Sequence, residues 1–300
     1  MWRFVQVSDP HFAALSDGCG NNLMIHALMP EVAMCLKNDL KALDPDFVLV
    51  TGDLAAYQSR DAVYAARDLL DSLQLPYYPI GGNQDFIMPR SRAWFVEAYH
   101  AHLPGGETHY SFTHENLHVS VLDPWWEWED GTLCAHRDGS SRIFRWALPP
   151  HQFEWLREDL DAHKGTPTIV ALHYPLLPLP ARLRRLRMLE PGYLRNGEML
   201  RKVLAEYPQV AAVFSGHAHM HYVVEDGGIT HVVTGALAEY PVEYREIEVH
   251  EDRLEVTTRG LSDKSFATRS LVLDNTWPSG QPQDRSVTIP LRTAKKPRGR

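Results

Sequence analysis

Short motifs rich in carboxylate, imidazole and amide side chains recur along this sequence of 300 residues. Imidazole favours first-row transition metals such as Zn, Fe and Mn, and carboxylate oxygens also bind harder ions such as Mn. The motifs are SDPHF, TGDL, GGNQD, ALHYP and SGHAHMH, and their candidate ligands are Asp9, His11, Asp53, Asn83, His173, His217 and His219. So many ligands exceed what one zinc ion takes and suit two metals that share a carboxylate. Two metals together stabilise the attacking and leaving oxygens of a phosphoryl displacement.

Each of these motifs directly follows a predicted strand. In the first third of the chain the strands are RFVQVSD, DFVLVTGD and PYYPIGG, and the stretches between them have helical spacing. Later strands are TPTIVALHYP and QVAAVFSGHAH, with helices in PPHQFEWLREDLDAH and GEMLRKVLAEY. The segments THYSFTHENLHVSVLDP and YREIEVHEDRLEVTTRG alternate like antiparallel pairs, and THVVTGAL is a further strand. This pattern favours an α/β layered fold, in which ligands gather at the carboxyl ends of the strands.

Composition narrows the function classes. The formal net charge of -8 argues against nucleic-acid binding, which needs a basic face. The sequence has no apolar run of about 18 residues, so no membrane span is predicted, and the N-terminus lacks a signal-peptide pattern. Cys19, Cys35 and Cys134 are scattered without CxxC spacing, which favours the reducing cytoplasm. A homo-oligomer is compatible with these features.

The domain organisation is predicted from a change in composition near the C-terminus. Residues 1–265 carry all the motifs and the alternating strands and helices, and are predicted to form one domain. Residues 266–300 are rich in Ser, Pro, Arg and Lys, and are predicted to be an arm or a disordered basic tail.

The motif order D-x-H, GD, GN, H and G-H-x-H resembles the calcineurin-like metallophosphoesterase family over about residues 3 to 222. The resemblance implies a four-layer α/β/β/α sandwich that holds two divalent or trivalent ions of Mn, Fe or Zn. It implies that Asp53 bridges the ions, with Asp9, His11 and His219 on one and Asn83, His173 and His217 on the other. Length and motif spacing are most similar to bacterial cyclic-nucleotide and glycerophosphodiester phosphodiesterases, so residues 1–265 would be a metallophosphoesterase domain.

Gln84 departs from the family pattern G-N-H-D, whose histidine contacts the substrate phosphate and protonates the leaving group. A glutamine can donate a hydrogen bond to a phosphoryl oxygen but cannot supply a proton. Three interpretations follow. The protein is a hydrolase for substrates that tolerate the loss, or another loop supplies the acid, with His26 and His136 as candidates. Alternatively, it binds metal with little turnover.

Other residues are candidates for supporting roles. Asp85, His221 and Tyr174, with Ser8 and Thr51, are predicted to orient or neighbour the metal ligands. The segment DPWWEWEDG, residues 123–131, either packs at an edge or forms an aromatic wall of the substrate cleft. The segment RLRRLR, residues 182–187, is either a solvated face or a positive rim that attracts anionic substrate.

The function predicted from these residues is dinuclear-metal-dependent phosphoester hydrolysis. The expected substrate is a small phosphodiester, such as a cyclic nucleotide or a glycerophosphodiester. Two alternatives remain open. One is a phosphomonoesterase or protein phosphatase, and the other is a metal- and nucleotide-binding pseudoenzyme in which Gln84 limits turnover. The HxHxDH run of metallo-β-lactamase-like proteins, another class of two-metal hydrolase, is absent from the sequence.

Overall fold

Two six-stranded sheets dominate the computed structural model, which describes residues 1–14, 16–57, 59–137, 145–184 and 191–292. The strands of these ranges are β1 (Trp2–Val7), β2 (Gly18–Cys19), β3 (Leu23–Met24), β4 (Phe47–Thr51), β5 (Tyr77–Ile80), β6 (Tyr110–His114), β7 (Leu117–Val121), β8 (Trp125–Glu127), β9 (Leu133–Cys134), β10 (Trp146–Ala147), β11 (Thr168–Ala171), β12 (Val210–Ser215), β13 (Tyr222–Asp226), β14 (Ile229–Val233), β15 (Glu243–Val249), β16 (Arg253–Gly260) and β17 (Ser286–Pro290).

Helices occupy most of the remaining regular structure. The α-helices are α1 (Met29–Leu43), α2 (Arg60–Asp71), α3 (Ser91–Tyr99), α4 (Pro150–Ala162), α5 (Gly197–Ala205), α6 (Ser265–Ser270) and α7 (Pro282–Arg285). Short 3₁₀ turns lie at His26–Leu28, His100–His102, Pro104–Gly106, Ala181–Leu183 and Trp277–Ser279. In α1 the buried Val32, Leu36 and Leu40 repeat at helical spacing, which gives the helix one apolar face toward the core. No helix of the described ranges is both long enough and apolar enough to cross a membrane.

The strand order shows how the chain builds each sheet. The first sheet has the order β17-β16-β15-β1-β4-β5, in which β1, β4 and β5 are parallel neighbours. The second has the order β13-β14-β12-β11-β7-β6, in which β7, β11, β12 and β14 run parallel. Parallel strands bring their carboxyl ends to one edge. The strands that precede the ligand motifs are therefore neighbours within each sheet, β1, β4 and β5 in the first and β11 and β12 in the second.

The core has two main layers of packing, which β11 separates. Ile169 and Ala171 join the large cluster that fills the space between the two sheets and continues under α1, α2 and α3. Val170 and Leu172 point the opposite way, into the cluster beneath α4 and α5. Alternate residues of a strand face opposite sides, so this division identifies β11 as a strand covered on both faces. The predicted α/β/β/α sandwich is confirmed.

The C-terminal segment pairs with the edge of the first sheet. Strand β17 pairs antiparallel with β16, from Arg253 opposite Pro290 to Thr257 opposite Ser286, and Ile289 is buried. Within this segment, α6, α7 and β17 are regular elements, and residues 293–300 lie outside the described ranges. The physical reason is that β16 would otherwise be an edge strand with unpaired backbone groups, and the alternating sequence SVTIP covers it. The charged and proline-rich composition of the segment concealed this short strand.

Candidate metal centre

The loops that carry the candidate ligands have an unusual backbone. Five of the candidate ligands have a positive φ, which is rare for residues other than glycine. The φ values are 48° for Asp9, 44° for His11, 51° for Asp53, 63° for His217 and 52° for His219. This conformation costs of order 1–3 kcal/mol for a residue with a Cβ and concentrates at functional sites. As a result, Asp9 and His11 of one motif, and His217 and His219 of another, point into the same cluster.

Glycines in the motifs make room for the polar side chains. A Cβ on Gly52 would lie 2.1 Å from Nδ1 of His173, and Gly52 has a φ of +91°. A Cβ on Gly216 would lie 1.8 Å from the hydroxyl of Ser8 and 2.5 Å from Oδ2 of Asp9. The GD and GH pairs therefore need glycine because another loop of the site approaches their backbone closely.

One half of the site gathers around His219. Its Nε2 lies 3.2 Å from Oδ1 of Asp9 and 3.1 Å from Nε2 of His11. Nε2 of His11 lies 3.8 Å from Oδ2 of Asp53. One ligand atom from each of these four residues lies within 4.8 Å of the others, which is the compactness that a bound cation requires.

The other half gathers around His173. Its Nε2 lies 3.1 Å from Oδ1 of Asn83, 3.3 Å from Nδ1 of His217 and 3.5 Å from Oδ1 of Asp53. Asp53 thus directs one carboxylate oxygen toward each half of the site. The structure brings all the ligand candidates from five loops together, although they are as far apart in sequence as Asp9 and His219.

The donor set fits metal cations. Oδ1 of Asp9 is buried and has no hydrogen-bond partner among the described residues, although a buried carboxylate oxygen normally has one. Burial, together with the negative charge of Asp9, raises the pKa of Asp53 to about 8. Burial also lowers the pKa of His11 and of His217 well below the usual value, which favours imidazoles with free lone pairs. Cations would offset the crowded carboxylates and accept these lone pairs.

Two imidazole rings are oriented by hydrogen bonds at Nδ1, the ring nitrogen that points away from the cluster. Nδ1 of His173 lies 2.9 Å from the carbonyl oxygen of Thr51, and Nδ1 of His219 lies 2.5 Å from Oε1 of Glu239. Both partners are acceptors, so each ring donates from Nδ1 and turns its Nε2 toward the cluster. Sequence analysis missed Glu239. Its only signal is an acid inside the otherwise apolar segment TGALAEY.

Asp85 supports the site by accepting hydrogen bonds from the backbone of two of its loops. Its carboxylate accepts hydrogen bonds from the backbone N–H groups of Leu54 and Ala55, each at 3.1 Å, and of Gly82 at 2.8 Å. It therefore fastens the Asp53 loop to the loop that carries Asn83. The backbone N–H of Gln84 donates to Oδ1 of Asp53 at 2.8 Å, which adds a second connection between the same loops.

The remaining candidates lie around the cluster. Ser8 donates to Oδ2 of Asp9 at 2.5 Å. Tyr174 packs against His217, with ring centroids 5.0 Å apart, and stacks on Trp146. His221 is buried behind the site, where its Nδ1 accepts a hydrogen bond from the backbone of Gly235.

Of the two candidate substitutes for the family acid, His26 is near the cluster. Its ring centroid lies 6.2 Å from that of His11, and its Nδ1 contacts the carbonyl oxygen of Ser16 at 2.9 Å. His136 contacts Cys134 instead, with 3.8 Å between Nδ1 and Sγ. His26 is thus a neighbour of the cluster, and the contacts of His136 do not link it to the ligands.

The tryptophan and arginine segments have largely structural contacts. Trp126 packs in the core beneath α4 and α5, and its Nε1 donates to the carbonyl oxygen of Phe86 at 2.9 Å. Arg182 makes a two-pronged ion pair with the buried Asp284, at 2.7 and 2.6 Å. The contacts of Trp126 thus favour a packing role over a wall of the substrate cleft. The guanidinium of Arg182 is directed at Asp284. Residues 185–187 of the arginine segment lie outside the described ranges.

Comparisons with known proteins agree with this geometry. The family model described as calcineurin-like phosphoesterase matches residues 3–221. The glycerophosphodiester phosphodiesterase GpdQ of Enterobacter lignolyticus is 26% identical over 216 residues, covering 71% of this chain and 69% of the relative. The 3',5'-cyclic adenosine monophosphate phosphodiesterase CpdA of Haemophilus influenzae is 23% identical over 266 residues, covering 83% and 86%.

A solved structure shows the same fold. The dimetal phosphatase LOC 393393 of Danio rerio superimposes with a TM-score of 0.71 at 16% identity, covering 97% of this chain and 99% of that chain. The family model covers most of the chain, including every loop that carries a candidate ligand. The chain belongs to the calcineurin-like phosphoesterase family.

Proposed function

We propose that this phosphoester hydrolase acts on a small phosphodiester, such as a cyclic nucleotide or a glycerophosphodiester. The observation that carries the proposal is Asp53, whose two carboxylate oxygens face the two halves of one buried ligand cluster. The relatives named above act on phosphodiesters of these two kinds, which supports the choice of substrate class. Cytoplasmic location and homo-oligomerisation stay predictions from the sequence.

In this proposal each half of the cluster holds one transition-metal ion, Mn, Fe or Zn. Asp9, His11 and His219 would bind one ion, Asn83, His173 and His217 the other, and Asp53 would bind both. When bound, the pair supplies Lewis-acid stabilisation of charge on the phosphoryl oxygens. The chain's own contribution is orientation: Thr51 and Glu239 fix two imidazole rings, and Asp85 holds the loops of Asp53 and Asn83 together.

Gln84 favours one second candidate function. Its side chain cannot deliver a proton to a leaving group, so a metal- and nucleotide-binding protein with little turnover is the rival proposal. A phosphomonoesterase or protein phosphatase has less support, because Arg182, a cation of the arginine segment, is paired with Asp284. Turnover of a diester by purified protein separates the enzyme from the rival.

Removal and return of metal tests the proposal. We expect metal-depleted protein to hydrolyse a bis-aryl phosphodiester at least about 10²-fold more slowly than protein reconstituted with Mn²⁺, because metal stabilisation of the phosphoryl oxygens is worth several kcal/mol. The activated aryl leaving group removes the need for an acid. Initial rates and metal content by mass spectrometry are the measurements. Bound metal without turnover would reject the phosphodiesterase proposal and favour the binding protein.

Gln84 is the subject of a second prediction. If its amide donates a hydrogen bond to a phosphoryl oxygen, Gln84→Ala should lower kcat/KM for the aryl diester about tenfold or more, since a bond to a charged group is worth roughly 1.5–3 kcal/mol. Gln84→His should instead speed cleavage of an unactivated alkyl diester by about 10²-fold, because general-acid catalysis contributes about 10²–10⁴-fold. Steady-state kinetics on both substrates decides. If Gln84→His slowed the aryl and the alkyl diester equally, a histidine at this position would not act as the general acid.

A further inference from the structure

Glu239 is a fully buried acid close to the candidate metal centre. It lies between β14 and β15 and follows Ala236, Leu237 and Ala238, which are also fully buried. A carboxylate in such a place is costly unless hydrogen bonds compensate for the lost water. The contacts of Glu239 therefore indicate what it stabilises.

Both carboxylate oxygens of Glu239 are engaged. Oε1 accepts from Nδ1 of His219 at 2.5 Å and from the backbone N–H of Asn21 at 3.3 Å. Oε2 accepts from the backbone N–H of Asn22 at 2.5 Å. Because an ionised carboxylate only accepts, the His219 ring carries its proton on Nδ1. Nε2 is left to face Oδ1 of Asp9, 3.2 Å away.

The same carboxylate holds a turn against the site. A Cβ on Gly20 would lie 2.6 Å from Oε1 of Glu239, so the turn approaches closely because this residue is glycine. The side-chain amide of Asn21 donates to the carbonyl oxygens of Ala218 and His219, each at 3.1 Å. The turn of residues 20–22 thus binds the His219 loop directly and also through Glu239.

A third segment extends this network toward the surface. The side chain of Asn22 donates to the carbonyl oxygen of Asn275 at 3.1 Å and accepts from the backbone N–H of Val272 at 3.0 Å. Asn275 in turn donates to the carbonyl oxygen of Asn21 at 2.5 Å. The C-terminal segment therefore takes part in positioning the turn.

We propose that Glu239 is a positioning residue of this centre: it holds a proton on Nδ1 of His219, aims Nε2 at the half of the site formed with Asp9 and His11, and fastens residues 20–22 beside it. The inference rests on the proposed function for the presence of metal. Carboxylates that orient a ligating histidine change metal affinity by about 10–100-fold when removed. The His173 half has its own orienting group in Thr51, so Glu239 controls one half alone.

The test compares metal binding in Glu239→Gln, Glu239→Ala and the control Glu243→Gln. Glu243 is an acid of the same region that pairs with Arg285 and lies 3.5 Å from Nε2 of His221, neither of which is a candidate ligand. Calorimetric titration of metal-depleted protein with Zn²⁺ should show one of two sites weakened by about 10–100-fold in Glu239→Ala, with the other site unchanged. Glu239→Gln should lie between the wild type and Glu239→Ala, because its amide oxygen still accepts one hydrogen bond. Glu243→Gln should match the wild type.

A second readout reports on His219 itself. In Zn²⁺-loaded protein labelled with ¹⁵N-histidine, the short bond to Glu239 should shift the Nδ1 proton of His219 downfield, and Glu239→Ala should abolish that shift. Wild-type metal affinity at both sites together with an unchanged Nδ1 signal would overturn the proposal. Thermal unfolding of the metal-free variants verifies that they fold. If wild-type protein binds metal but cleaves no diester, the proposed function fails, yet loss of one site in Glu239→Ala still supports the role of Glu239.

Discussion

Asp53→Ala should reduce kcat/KM for the aryl diester by at least about 10³-fold. Removing one donor that stabilises transition-state charge costs about 10²–10³-fold in other enzymes, and Asp53 contributes to both halves of the site. One of its oxygens lies 3.8 Å from Nε2 of His11, and the other lies 3.5 Å from Nε2 of His173. Loss of this carboxylate therefore removes the group that contacts both halves of the cluster.

The measurement pairs kinetics with metal content. Asp53→Asn tests charge with nearly the same shape and should also lose most activity, because an amide is a weaker metal ligand than a carboxylate. Asp252→Ala is the matched control, since that side chain is 77% exposed and contacts Arg253. The control should keep wild-type rates. Retention of more than a tenth of wild-type turnover in Asp53→Ala would show that the two halves do not act through a shared carboxylate.

Asp85→Ala should lower the free energy of unfolding by about 3–5 kcal/mol. Each buried donor left without an acceptor costs about 1–3 kcal/mol, and three backbone N–H groups bond to this carboxylate. The variant should also lose activity, because Asp85 joins the loops of Asp53 and Asn83. Asp85→Asn keeps one acceptor oxygen but turns an amide group toward N–H donors, so its stability should be intermediate.

Urea unfolding of the metal-free proteins checks this prediction, because metal binding would otherwise add to the stability of the folded state. Asp252→Ala serves again as the exposed control and should stay within about 0.5 kcal/mol of the wild type. A loss below about 1 kcal/mol in Asp85→Ala would mean that other acceptors take over the three N–H groups.

Much of the site was predictable because its signals are local. Apolar runs marked the strands, and the polar residues that follow them were expected at one edge of the sheets. That expectation holds for Asp9, Asp53 and His173, which follow β1, β4 and β11. The layered fold was predictable for a similar reason, since helical and strand spacing alternate along the chain.

The sequence by itself determined which side chains form the cluster and the layered fold that positions them. Only the tertiary structure decided the groups behind the cluster. The contacts of Glu239 with Asn21 and Asn22 join segments more than 200 residues apart, and β17 was concealed in a polar tail. Such contacts leave no local pattern, because a buried carboxylate is satisfied by whichever backbone N–H groups the fold brings near it. The residue types alone indicate which side chains can bind a metal, whereas the orientation of those side chains depends on packing between distant segments.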